Sequence, residues 1–258
     1  MIRIALSLLL LCSLPTIVEA QGWRSALRSA VRLGQSFMIN DEDLAEYAQQ
    51  QVAYMDKNNR ICNAQSAYTK RLNRLTRSMT DADGIPLNFK VYQTNEINAF
   101  ACPDGSIRVY SALMDALSDN ELIGVLGHEI GHVALRHTKQ AWKSALRRSA
   151  ASEALAAMSD TYYALSESVL GELSSVVFSA RHSRSQETEA DDYGYTFLKE
   201  NGRNPWAMAI AFEKMKKLSK SGGSRWAKYL KAFSSHPDFD SRIHRMSERA
   251  KDDGYQRP

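Results

Sequence analysis

Cysteine is scarce in this sequence: three in 258 residues, at positions 12, 62 and 102. That excludes a disulfide-dense scaffold, and with Cys62 and Cys102 40 positions apart it also excludes a zinc site built from clustered thiolates. Long hydrophobic runs are missing as well. The mostly apolar stretch from Ile4 to Leu11 is far short of the roughly 20 residues that span a bilayer. Nor does one sign of charge dominate, since 33 Lys and Arg stand against 29 Asp and Glu for a net charge of +4. The stripe Lys139, Lys143 and Arg147 reads as a solvated helix face, and with no nucleic-acid motif beside it nucleic acid is not expected as a partner. No internal repeat or low-complexity tract is present. What remains, 44% hydrophobic and 24% charged, is enough to bury the core of one ordinary domain.

The N-terminus differs from the rest. Arg3 precedes the apolar run, and Pro15 followed by Val18-Glu19-Ala20 has the form of a signal-peptidase site. Residues 1–20 are therefore expected to be a cleaved leader and residues 21–258 a single exported domain. Its removal takes away Arg3 and Glu19, so the net charge is unchanged. Leu11 stands where a lipid-attachment signal needs a small residue, so Cys12 is not expected to carry a lipid. Two cysteines then survive in an oxidising compartment, and the even count predicts a Cys62–Cys102 disulfide. Within the basic segment 21–40, Trp23, Leu27 and Val31 share one helix face and Arg24, Arg28 and Arg32 line the next. That face is expected to pack on the body, with peripheral contact to an anionic membrane as the other use.

The sharpest feature is His128-Glu129-Ile130-Gly131-His132. On an α-helix, residues four apart differ by about 40° and about 6 Å along the axis, so both imidazoles project from one face and can chelate one ion. Glu129, about 100° from His128, reaches a water on that ion rather than the ion itself, which makes it the candidate general base. Flanking residues support the helix. Ser118-Asp119-Asn120-Glu121 fits a capping box, and Leu122, Val125, Leu126, Ile130 and Val133 form one buried stripe. Gly127 and Gly131 weaken a helix interior, so they point to close packing or access to the metal.

A third ligand has to come from elsewhere. Thr138 stands where one class of zinc proteases places a histidine six residues after the second, and Leu135 where that class has glycine. His137 lies nine residues from His128, half a turn out of phase, and is expected at the surface if the helix continues. The segment Ser185 to Asp192 offers two glutamates. Glu187 has Asp191 one turn on, placed to accept a hydrogen bond from the far nitrogen of a ligand histidine, whereas Glu189 has Tyr193 at that spacing and hence no partner. Glu187 is the expected third ligand, with Asp191 behind it. No further residue is spaced as the fourth protein ligand of a closed structural site, which favours catalysis over a periplasmic binding or chaperone-like module with an inactive or structural metal.

Elsewhere the chain reads as helices over Asp43–Asp56 and Ala64–Met79, a strand over Leu87–Thr94, and a hairpin of Ile97–Cys102 with Ser106–Tyr110. An Ala- and Ser-rich helical stretch spans residues 138–180, with a break near Ser159-Asp160; whether it covers the groove as a lid is not written in the sequence. A helix over Trp206–Leu218 and a flexible link at Ser221-Gly222-Gly223-Ser224 follow. The expected fold is α+β and predominantly helical, a zincin-like domain with a small sheet beside the metal helix. An extended peptide can add itself as a strand to the edge at Asn98-Ala99-Phe100 and so present its carbonyl to the metal.

Several spaced motifs together carry a family resemblance: Asn98-Ala99-Phe100, Ile107 to Ser111, Asp119-Asn120-Glu121, Gly127-His128-Glu129, Gly131 to Ala134, Glu187 to Asp192, and His236-Pro237. The chain resembles the gluzincin peptidases that include HtpX and the CAAX prenyl endopeptidases, in particular their small soluble periplasmic branch typified by LoiP and YcaL. The membrane-spanning helices of HtpX and the prenyl enzymes have no counterpart here. The resemblance implies zinc held by His128, His132 and Glu187, Glu129 as catalytic base, and action on unfolded or misassembled envelope proteins in the periplasm. It also places His236 beside the site as a candidate oxyanion donor, and Arg184 and Arg242 near the motifs as residues that bind substrate or brace Asp191. His182 and His244 match no motif position and are expected at the surface.

Overall fold

The computed structural model describes residues 41–148, 167–178, 180–221, 236 and 238–258. Helices α1 (Asp41–Asn58) and α2 (Ala67–Thr76) precede a short β1–β2 hairpin (Asp81–Ala82, Ile85–Pro86). Strands β3 (Asn88–Tyr92), β4 (Ala99–Ala101) and β5 (Ser106–Tyr110) follow, then α3 (Ser111–Ala116) and α4 (Asp119–Ala134). The remainder is helical: α5 (His137–Arg148), α6 (Glu167–Phe178), α7 (Arg184–Glu200), α8 (Trp206–Ser221) and α9 (Phe239–Asp252). This is the expected α+β, mainly helical arrangement. The leader, the Trp23 to Leu33 stretch, the break near Ser159-Asp160 and Gly222 to Ser224 lie outside the described residues, as does much of the 138–180 segment. No described helix is long and apolar enough to cross a membrane.

The larger sheet has the order β3-β5-β4, with β3 parallel and β4 antiparallel to β5. Period-two alternation along β5 divides the molecule into two cores. Ile107 and Val109 join the main core with α2, α4, α7, α8 and α9. On the other side Tyr110 joins Tyr92, α1, α5 and α6, with Phe100 packed against that cluster.

Arg108 also points to the second side and is only 1% exposed. Its guanidinium meets Asp56 of α1 through two bonds, Nε to Oδ1 at 2.8 Å and Nη2 to Oδ2 at 3.0 Å. Lys90 Nζ and the Tyr92 hydroxyl add bonds of 2.7 Å each to the same carboxylate. Burial alone would raise the Asp56 pKa, but the bonds from Arg108, Lys90 and Tyr92 outweigh it and hold the carboxyl below its ordinary value. Asp56→Asn would leave a buried guanidinium without its counter-charge, so it should cost about 3–5 kcal/mol, read from urea denaturation. Because the folded pKa is depressed, Asp56's contribution is complete above the unfolded value of about 4. It is lost as pH falls through the folded value, and the variant should lack that acid limb.

The expected disulfide does not form: Cys62 and Cys102 are both free and buried. Sheet topology explains the correction. Cys62 N donates to Val91 O on the outer side of β3, whereas Cys102 follows β4 at the opposite edge, with β5 between. Three inter-strand spacings amount to roughly 14 Å, against a Cα separation of at most about 7 Å for a disulfide. Unfolding without reductant should therefore expose two alkylatable thiols at Cys62 and Cys102, counted by mass; a protein two hydrogens lighter with both unlabelled would contradict this.

Candidate metal centre

The helix carrying the two histidines begins as expected. Ser118 Oγ accepts from Glu121 N at 3.5 Å while Ser118 N donates to Glu121 Oε2 at 2.9 Å, closing the capping box. Residues 121–133 are all buried, so the helix runs through the core rather than along its surface. Small residues let α7 press against it. A Cβ built on Gly194 would sit 3.0 Å from the backbone nitrogen of His128 and 3.2 Å from Gly124 O, and one on Gly131 would meet Tyr193 Cβ at 2.9 Å. The glycines of the motif region thus serve close helix packing, and this contact carries Glu187 up to the histidine pair. A second capping box, Ser183 with Gln186, starts α7 just before it.

Four ligand-type atoms converge, from His128, His132, Glu187 and His236, all buried and within 4.8 Å of one another. His128 Nε2 lies 3.0 Å from His132 Nε2 and 3.3 Å from His236 Nδ1. Glu187 Oε1 is 2.9 Å from His236 Nδ1 and 3.5 Å from His132 Nε2, and its Oε2 is 3.6 Å from His128 Nε2. Three imidazoles and one carboxylate form a donor set that suits zinc. The fit extends to the free lone pairs: Glu187 Oε2 is buried with no hydrogen-bond partner, since Arg242 Nη1, 2.7 Å away, is near it as a charge but not aligned as a donor. Burial would raise the Glu187 pKa, yet His236, His132 and His128 outweigh it and keep the group ionised, ready to ligate.

Behind this cluster, Asp191 Oδ1 lies 3.0 Å from His128 Nδ1, where its spacing from Glu187 places it. Arg242, whose role the sequence leaves open, braces the carboxylates. It binds Asp191 through Nη2 at 2.6 Å and Nε at 2.9 Å, with its guanidinium 4.3 Å from the Phe212 ring centre. Arg184 stands apart, highly exposed, with Asp238 at 3.9 Å. His236 Nε2 is 3.6 Å from Glu129 Oε1. Burial pushes the Glu129 carboxyl above the ordinary glutamate range, against the pull of His236 and His128. That shift suits a group that takes and returns protons near neutral pH.

Four expectations are corrected here. His137 is buried, not at the surface, because α4 stops at Ala134. Its Nδ1 lies 3.2 Å from His132 Nδ1, and burial lowers its pKa. Glu189 has partners after all, His137 Nε2 at 3.1 Å and the Ser185 hydroxyl at 2.8 Å. His182 stacks on His132 with ring centres 3.8 Å apart, and burial brings its pKa down to about 3. His236 enters the ligand group, so a fourth protein donor is within reach. Helical spacing carries no signal for His182 or His236, since each lies outside regular helix; His236 is reached only through the His236-Pro237 motif of the resemblance, and His182 by no motif at all.

A cleft open to solvent runs along this cluster. Glu129, His182 and His236 line one side, Asn98 and Phe100 of the β4 edge another, and Trp142 and Phe178 of α5 and α6 close it. The model of peptidase family M48 matches residues 66–250, from α2 to the end of α9 and so around all of these groups. The chain belongs to peptidase family M48. The M48 chain is 37% identical to the metalloprotease LoiP of Escherichia coli over 229 residues, 88% of each protein. It is 36% identical to the Escherichia coli metalloprotease YcaL over 225 residues, 87% of this chain and 86% of that one. A shorter match, 33% over 139 residues, relates half of it to 28% of the Escherichia coli beta-barrel assembly-enhancing protease. It is an M48 metalloendopeptidase, and its cofactor is zinc.

Proposed function

We propose that this M48 peptidase works in the periplasm on unfolded or misassembled envelope proteins, with zinc held by His128, His132 and Glu187. The observation that supports this reading best is the shared cleft: Glu129 faces it beside the ligand cluster, and the edge strand β4 forms its other border. Zinc held by these residues would supply a Lewis acid, able to polarise a peptide carbonyl and to lower the pKa of water towards neutrality. Glu129 takes the proton of the attacking water and delivers it to the leaving amine. His236, through Nε2, donates to the carbonyl oxygen as charge develops there.

An extended substrate pairs with β4 at Asn98, Ala99 and Phe100 through backbone bonds that any sequence can make, which suits a broad range of unfolded chains. Aromatic walls at Phe100, Trp142 and Phe178 favour a large apolar side chain next to the scissile bond. The envelope setting draws on the leader-like residues 1–20 and on a relative named for β-barrel assembly.

Digestion of one protein in folded and unfolded forms tests the proposal. The unfolded form should be cut within the time that leaves the folded form intact, and Glu187→Ala should lose both zinc and cleavage. Equal zinc in Glu187→Ala and wild type would remove Glu187 from the ligand set. The four-donor cluster favours one other reading, a closed site in a binding or chaperone-like module. Loss of zinc in His236→Phe would support it, whereas retained zinc with impaired cleavage supports the donor role.

A further inference from the structure

Of the two histidines on the metal helix, His128 has an evident brace in Asp191, at 3.0 Å. His132 has its own, supplied from a position that helical spacing does not reach. A residue five further along a continuous helix would be rotated by about 140°, away from the imidazole. The chain avoids this. Helix α4 ends at Ala134, and Arg136 takes a left-handed conformation with φ of 60°, uncommon for a non-glycine residue. Its guanidinium holds that reversal by donating to Asp83 O and Oδ2, both at 3.0 Å. His137 then opens α5 with its ring turned back beneath His132.

The donors and acceptors that follow have one consistent order. With the Nε2 of His132 turned to the ligand cluster, its proton sits on Nδ1 and donates to His137 Nδ1 at 3.2 Å. His137 must then carry its own proton on Nε2, which donates to Glu189 Oε2 at 3.1 Å. The other carboxylate oxygen of Glu189 accepts from the Ser185 hydroxyl at 2.8 Å, fixing the carboxylate in turn. We propose that His137 and Glu189 are positioning residues that set the tautomer and orientation of His132 for zinc. Each metal histidine then has a carboxylate behind it, Asp191 directly for His128 and Glu189 through one imidazole for His132. Partners of this kind are commonly worth 10–100-fold in metal affinity.

The inference rests on His132 being a ligand, and zinc affinity of the full chain, measured by chelator competition, tests it without reference to cleavage. His137→Phe keeps a ring but loses the acceptor, and should bind zinc about 10–100-fold more weakly. His137→Gln can accept from His132 and donate to Glu189, and should recover most of that loss. Glu189→Ala, at the exposed end of the relay, should weaken binding several-fold with the melting temperature of the metal-free protein unchanged. Wild-type affinity in His137→Phe or Glu189→Ala, or His137→Gln binding no tighter than His137→Phe, would overturn the relay. Wild-type affinity in His132→Ala would instead remove His132 from the ligand set.

Discussion

Glu129→Gln should bind zinc as the wild type does while cleaving peptide bonds about 10²–10⁴-fold more slowly. The amide keeps the size of the side chain, so the surroundings of His236, 3.6 Å from Glu129 Oε1, are little disturbed. What is lost is basicity. Glu129 is needed twice in one turnover, to accept a proton and to return it, so the upper end of that range is expected. The measurement is kcat on an unfolded protein alongside zinc content by atomic absorption. A purified variant that digests at the wild-type rate would assign the activity elsewhere.

The second large effect concerns folding. Arg242 is 5% exposed and lies between two carboxylates that are themselves buried, Glu187 and Asp191. Arg242→Met preserves much of the apolar contact with Phe212 but strips both carboxylates of their cation, and should destabilise the metal-free protein by about 3–5 kcal/mol. Arg242→Lys restores the charge without the two-pronged bond to Asp191, so only part of the stability should return.

Acid sharpens the test. Burial would raise the Asp191 pKa, but Arg242 and His128 outweigh it and keep it below the ordinary value. The stability this gives is complete above the unfolded value of about 4 and is lost as pH falls through the folded one. Without the guanidinium the Asp191 carboxyl titrates higher, so acid unfolding of Arg242→Met should begin at a higher pH than in wild type. Coincident acid transitions would show that Arg242 does not hold these groups.

Much of the centre was legible because it is written in helical spacing. His128 with His132, and Glu187 with Asp191, are pairs four apart, and any helix brings such pairs to one face. The capping box at Ser118 announced the metal helix, and the hairpin of Ile97–Cys102 with Ser106–Tyr110 contained the central strand. What was hidden depends on contacts between distant segments. The reversal at Arg136 is held by Asp83, 53 residues away, so the local sequence reads as a continuing helix and sends His137 outward. Cysteine parity counts thiols but not the strands between them, and β5 separates Cys62 from Cys102. Arg242 reaches its carboxylates from the last helix, a packing outcome with no periodic signature.

The burial of Arg242 has a consequence in simple electrostatics. With Glu129 ionised and the histidines neutral as ligands require, four charged side chains are buried around the centre: Glu129, Glu187 and Asp191 are negative and Arg242 is positive. Their sum is −2, which a dication brings to zero and a monovalent ion leaves unbalanced. The interior penalises uncompensated charge steeply. In that protonation state electroneutrality favours a dication at this centre. It also makes the ion a partner in folding, adding stability as its concentration rises above its dissociation constant, so that a chelator should act on this protein as a mild denaturant.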